Sequence, residues 1–185
     1  MSRPKNSIIT GNGNVVHLLE PRKEQIHLVD ISLSLSKICR YSGGTIQFYS
    51  VAQHSLNCCK IAREMYDTKT GIYLLLHDSA EAYISDVPTP VRKLVPGFDE
   101  IERNLLTAIY HHFCLEKPTG NYLNKVQEID SRILANEIPV LVPKLKCIIP
   151  ENCEPYEMNL DFMERKFDDV KEEFEDTVNY LLKKM

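Results

Sequence analysis

Residues 74–83 read LLLHDSAEAY, and the fold turns on how that stretch is read. Leu74, Leu75 and Leu76 follow Ile72 and Tyr73 in a run apolar enough to bury most of a helix's circumference, yet His77, Asp78 and Glu81 interrupt it. Ionisable groups in such surroundings need partners, because desolvating a lone charge is expensive. Helical neighbours lie three and four residues apart, so Glu81 shares a face with both Asp78 and His77. One helical surface then presents an imidazole and two carboxylates. That set either binds a cation or suffers charge repulsion.

The spacing predicts this helix over residues 70–84, stopped by Pro88 and Pro90, with residues 86–96 as a loop or short turn. Upstream, Ile31, Leu35, Ile38 and Cys39 recur at helical spacing, with Asp30 as a cap and Ser42-Gly43-Gly44 as the stop. Ser50 caps a second run carrying Val51, Leu56, Cys59 and Ala62, which ends near Asp67 and holds His54 in its first turns. Downstream, helices are expected over 98–115 and 121–137, the latter placing Asp130 beside a seam of Val126, Ile129 and Ile133. Pro139, Pro143 and Pro150 make the next stretch irregular. A last helix over 160–183 sets Phe162, Phe167, Val170, Phe174 and Val178 against a charged, solvated face. Residues 1–29, punctuated by Gly11, Gly13 and Pro21, suit a small hairpin or extended arm. The expectation is an all-α, single compact helical bundle: arm 1–29, helical core 30–137, and a C-terminal loop and helix over 138–185.

A chain of 185 residues is long enough for one domain with a real core and short for two. Its net charge of -4 supplies no basic field for extended nucleic acid or an anionic membrane, though a small anion needs few cations in a pocket. Residues 1–16 lack an apolar run behind a basic start, and no other stretch reaches membrane length, so a cytoplasmic protein is expected. Cys39, Cys58, Cys59, Cys114, Cys147 and Cys153 contain no CxxC pair and read as reduced, buried thiols.

His54 alone reads as a core histidine, and Asp130 alone as part of a solvated face. Joined to His77, Asp78 and Glu81, they complete a donor set. Two imidazoles and two carboxylates suit one borderline divalent ion such as Mn²⁺, Co²⁺, Zn²⁺, Fe²⁺ or Ni²⁺. Mg²⁺ is a poorer match to two imidazoles and stays open as a second ion arriving with substrate. Adjacent His111 and His112 point apart on a helix and read as surface or core residues.

The ordered set His54, His77-Asp78 and Asp130 resembles that of the HD-domain phosphohydrolases. The stretches ICRYSGGTIQFYSVAQHSL (38–56) and LLHDSAEAYISDVPTPVRKLVPGFDEIE (75–102) resemble the small bacterial and phage members that act on deoxynucleotides, including 5'-deoxynucleotidases and a dATP triphosphohydrolase. The resemblance covers roughly residues 10–137 and leaves the C-terminal third unmatched. It implies a metal-dependent hydrolase in which His54, His77, Asp78 and Asp130 hold the ion and a metal-bound water attacks phosphorus. Glu81 falls on the acid/base position. Arg40 falls on a phosphate-contacting position, and also suits a helix C-terminus. Arg92 and Lys93 align with a phosphate-binding lysine or are solvated loop charges, and Asp86 falls on an active-site position. A dNTP, dATP-like, is the expected substrate, with a dNMP as alternative and another signalling nucleotide or a non-catalytic nucleotide-binding module behind it. The resemblance further implies a homo-oligomer, dimer or hexamer, in the cytoplasm, or the host cytoplasm for a phage-encoded chain.

Overall fold

Residues 7–17 form a hairpin: β1 (Ser7–Ile9) pairs antiparallel with β2 (Val15–His17), Ile8 opposite Val16. The structure is a computed structural model and describes residues 5–145, 149 and 153–185. The Gly13 amide donates to the Thr10 carbonyl at 3.0 Å, with Gly13 at φ 84, a left-handed conformation that glycine adopts without a Cβ clash. Val16 is fully buried and seats the hairpin on the helices. The side-chain amides of Asn12 and Asn14 donate to Asp30 at 2.6 and 2.8 Å. Asp30 is therefore not a cap. It lies inside α1 (Leu28–Leu35), behind His27, and its buried carboxylate ties down the hairpin turn.

Helix α1 also stops short of the expected Ser42. The Arg40 amide donates to Tyr49 at 2.9 Å and the Val51 amide to Ile38 at 3.0 Å, and Cys39 bridges Ser50. These backbone bonds take residues 38–40 out of helical pairing and close 40–49 into a loop. Helix α2 (Val51–Met65) begins at Ser50 as expected, its hydroxyl accepting from the Gln53 amide at 3.1 Å while Gln53 Oε1 accepts from the Ser50 amide at 3.2 Å. It ends at Met65, near Asp67 as expected, and Asp67 caps the next helix, α3 (Thr68–Leu76), accepting from the Thr70 amide at 2.6 Å.

The helix expected over 70–84 is broken. His77 Nδ1 donates to the Leu74 carbonyl at 2.7 Å, the carbonyl that the Asp78 amide would reach if the helix continued. The chain tightens into a turn, with Ser79 donating to Leu76 and Glu81 to Asp78, each at 3.0 Å, before the short α4 (Glu81–Ile84). After α5 (Thr89–Arg92) comes α6 (Phe98–His112), close to expectation. The helix expected over 121–137 is divided at Ile133 into α7 (Gly120–Arg132) and α8 (Leu134–Leu141), where the Asn136 amide reaches back only to Ile133, at 2.9 Å.

The last helix, α9 (Phe167–Lys184), starts later than expected because side chains of α2 take up carbonyls of the preceding segment. Gln53 donates to the Met163 carbonyl at 2.9 Å, Asn57 to that of Asp161 at 2.9 Å, and Lys60 to that of Asn159 at 2.6 Å. Their spacing of four and three residues lines one face of α2. Val170, Phe174, Val178 and Leu181 then bury against α1, α2 and α3, so the C-terminal helix belongs to the same core as Ile31, Ile61 and Leu75. Phe167 is exposed, with Lys37 over its ring. The result is a mostly helical fold with a small N-terminal hairpin. Among the described cysteines all are free, Cys58 and Cys59 buried and Cys114, against expectation, exposed. Cys147 and Pro150 lie outside the described residues. No helix among the described residues is long and apolar enough to cross a membrane.

Candidate metal centre

His54 comes from the first turns of α2, His77 from the end of α3, Asp78 from the turn that follows, and Asp130 from α7, which packs across α2 and α3. One donor atom from each lies within 4.8 Å of every other. His54 Nε2 is 3.2 Å from Asp130 Oδ1 and 3.7 Å from Asp78 Oδ2. His77 Nε2 is 3.2 Å from Asp78 Oδ2 and 3.5 Å from Asp130 Oδ1. Donors about 2.1 Å from a shared ion stand about 3.0 Å apart at a right angle and about 3.6 Å apart at 120°, so these separations fit one cation. Side-chain exposure rises from 0% at His54 through 8% at His77 and 20% at Asp78 to 45% at Asp130, and the cluster therefore opens to solvent past Asp130. The grouping arises from the turn at 77–80 and two neighbouring helices rather than from one helical surface.

Both rings are oriented from behind. His54 Nδ1–H donates to Glu137 at 2.7 Å and His77 Nδ1–H to the Leu74 carbonyl at 2.7 Å, which turns each Nε2 toward the carboxylates. His77 Nε2 is buried without an aligned hydrogen bond. Cys58 Sγ lies 3.5 Å from His54 Nε2 and forms a second, smaller group with the two histidines.

Glu81 is close by and unusual. Its Oε2 is buried with no hydrogen-bond partner, and burial, with the neighbouring Asp78 and Asp86 carboxylates, pushes its pKa up to about 9. Burial also raises Asp86, although Arg40 and the Tyr41 backbone amide favour its charged form. Asp78 and Asp130 go the other way: burial opposes ionisation, but the protonated histidine rings beside them hold both carboxyls below the usual range.

Arg40 projects from the 40–49 loop to the same place. Its Nη1 is 3.6 Å from Asp78 Oδ2, its Nη2 3.3 Å from Glu137 Oε2, and its Nε is buried without a partner. Arg40 lies beyond the end of α1, so the helix-terminus role does not apply. Beside it Tyr41 and Ser42 take φ of 55° and 52°, and next to Asp86 Ser85 takes 69°. Left-handed backbone at non-glycine residues costs about 1–3 kcal/mol each, and these three stand beside Arg40 and Asp86, while Asn6 and Cys114 adopt it elsewhere. Arg92 is held by Asp99, at 3.0 Å, and by Glu102, so it faces α6 rather than the ligands, and Lys93 is exposed. His112 donates to the Lys23 carbonyl at 3.0 Å, and His111 is exposed.

Glu137, Tyr41 and Tyr49 were not singled out by the sequence. Glu137 carries the same signal as the His77-Asp78 pair: it is a carboxylate inside an apolar run, LANEIPVL (134–141). An open groove of about 580 Å³ between α2 and α9, lined by Arg63, Asp176 and Tyr180 among others, contains none of these residues.

No family model matches the chain. Over 108 residues it is 33% identical to the uncharacterized protein YfdR of Escherichia coli (strain K12), the match covering 58% of this chain and 58% of that protein. Over 137 residues it is 28% identical to an uncharacterized protein of Rhodobacter capsulatus, covering 69% of this chain and 70% of the relative. The chain thus spans less than two thirds of the length of YfdR.

Proposed function

We propose that this chain is a divalent-metal-dependent phosphohydrolase of the HD superfamily that acts on deoxynucleotides. The observation carrying the proposal is the pair of imidazoles whose Nδ1 atoms are tied back and whose Nε2 atoms face two aspartate oxygens. His54, His77, Asp78 and Asp130 hold the ion. When bound, a divalent ion supplies Lewis acidity toward a phosphoryl oxygen and lowers the pKa of water toward neutrality.

The chain's own groups do the rest. Glu81, buried beside the centre with an unpartnered Oε2, takes the proton from the attacking water and passes a proton to the departing oxygen. Arg40 offsets charge that builds on the phosphoryl oxygens, its guanidinium standing beside Asp78. Asp86, held against the Tyr41 amide, fixes the loop that presents Arg40.

A dNTP, dATP-like, is the leading substrate from the resemblance over residues 38–56 and 75–102. The dNMP reading is favoured by a separate observation: Arg92 is engaged by Asp99 and Glu102, leaving Arg40 as the arginine paired at the centre, and a triphosphate brings more negative charge than a monophosphate.

Protein purified without chelator should contain stoichiometric divalent metal. With Mn²⁺ or Co²⁺ it should form deoxynucleosides from a panel of deoxynucleoside mono-, di- and triphosphates, followed by chromatography. Inorganic phosphate as co-product identifies the monophosphatase and tripolyphosphate the triphosphohydrolase. No product from any member of the panel would sink the proposal.

A further inference from the structure

Glu137 is fully buried, and four donors converge on its carboxylate. Its two oxygens divide the work. Oε1 accepts from His54 Nδ1–H at 2.7 Å and from the Tyr49 hydroxyl at 3.1 Å. Oε2 accepts from the Tyr41 hydroxyl at 2.7 Å and stands 3.3 Å from Arg40 Nη2. One oxygen thus faces the candidate metal ligand and the other the guanidinium, and a planar carboxylate fixes the distance between them. The frame extends outward through Asn57, whose amide nitrogen donates to Tyr49 Oη at 3.0 Å and to the Asp161 carbonyl at 2.9 Å. Helix α8, which carries Glu137, is pinned by Asn136, which donates to the Tyr156 carbonyl at 2.9 Å and accepts from the Tyr156 amide at 2.8 Å.

A carboxylate buried for stability alone is a poor investment of desolvation energy, since apolar replacements of such networks often stabilise as well or better. Nor does a purely structural role account for the division between its oxygens. Carboxylates behind a metal-bound imidazole set the ring's tautomer and orientation, and their loss typically weakens metal binding. Here the same group also holds the arginine.

We infer that Glu137 is a positioning residue that locks His54 and Arg40 in one frame, coupling metal ligation to anion binding through the two oxygens of a single buried carboxylate. The inference rests on the proposed metal centre. A Glu137→Gln variant keeps an acceptor for one side and turns an NH₂ group toward donors on the other. A Glu137→Asp variant keeps the charge but is a methylene too short to reach both sides.

The test uses Co²⁺ and inorganic phosphate as probes. Co²⁺ affinity is read from the visible absorption of the bound ion, and phosphate affinity by calorimetry on Co²⁺-saturated protein, with circular dichroism reporting the fold. In Glu137→Gln the Co²⁺ Kd is expected to rise roughly 10- to 100-fold. The phosphate Kd of the saturated variant is expected to rise as well, and non-additively with Arg40→Ala, because removing either member disturbs the same contact. Should Glu137→Gln fail to fold, Glu137→Asp gives the same readings with smaller shifts. Folded variants with wild-type Kd for both probes, even with lowered thermal stability, would overturn the inference and leave the metal centre standing. A wild-type protein that binds no Co²⁺ would instead overturn the metal centre, and the inference with it.

Discussion

Glu81 is where the chemistry of single residues is most exposed to test. Its carboxyl is buried, has an unpartnered oxygen and sits against Asp78 and Asp86. Glu81→Gln keeps the shape and removes the transferable proton, so kcat should fall roughly 10²- to 10⁴-fold while metal content stays at the wild-type level. Retention of full activity would refute the acid/base role. The same carboxyl also gives the chelated protein a pH dependence. Its folded pKa of about 9 lies above the unfolded value of about 4.3, so its contribution to stability is complete below about pH 4.3 and is lost as pH rises toward about 9. Denaturant midpoints of chelated protein at about pH 5 and about pH 8 should therefore differ more in the wild type than in Glu81→Gln. Equal differences would show that burial does not raise this group.

Among the elements, α3 and α9 set the frame in which the candidate ligands meet. Helix α3 is started by Asp67, and Asp67→Ala should lower unfolding free energy by about 1 kcal/mol in urea denaturation, the usual cost of a lost N-cap. Helix α9 is held by apolar burial. Phe174 is fully buried where α9 meets α1, α2 and α3, and Phe174→Ala should cost about 3–5 kcal/mol. A loss below about 1 kcal/mol would mean that α9 is dispensable to the core, contrary to its packing. The segment before α9 adds specificity of another kind. Gln53, Asn57 and Lys60 bond to its carbonyls, so the polar face of α2 is occupied by backbone rather than by solvent.

For the whole molecule, the centre joins α2, the turn after α3, and α7, segments separated in sequence and united by one core. A ligand bound only by the folded state stabilises it by mass action, about 2.7 kcal/mol at a hundredfold excess over Kd. Saturating Mn²⁺ or Co²⁺ should accordingly raise Tm, and a chelator should reverse the shift. Asp130→Ala, which deletes the most exposed of the four candidate ligands, should abolish most of that metal-dependent shift while leaving the fold intact. An equal shift in the variant would remove Asp130 from the ligand set.

The sequence by itself determined the helical class, through apolar spacing, and the start of α2, because Ser50 and Gln53 cap each other over three residues. It also pointed to His77, Asp78 and Glu81, since charged groups inside an apolar run must find partners, and to His54 and Asp130 through the ordered pattern that they form with that pair. Only the tertiary structure decided which partners. Glu137 meets His54 and Tyr41 across 83 and 96 residues of chain, so its role has no local signature beyond its apolar surroundings. The late start of α9 depends on side chains of α2 about a hundred residues earlier, which capture carbonyls that local helical preference would have paired internally. Arg40 left its expected helix because the loop 40–49 closes on itself through the 38–51 pairing, which placed its guanidinium between Asp78 and Glu137. Local propensity sets which segments are helical, whereas the directions in which buried polar groups are satisfied depend on neighbours that the chain brings together only on folding.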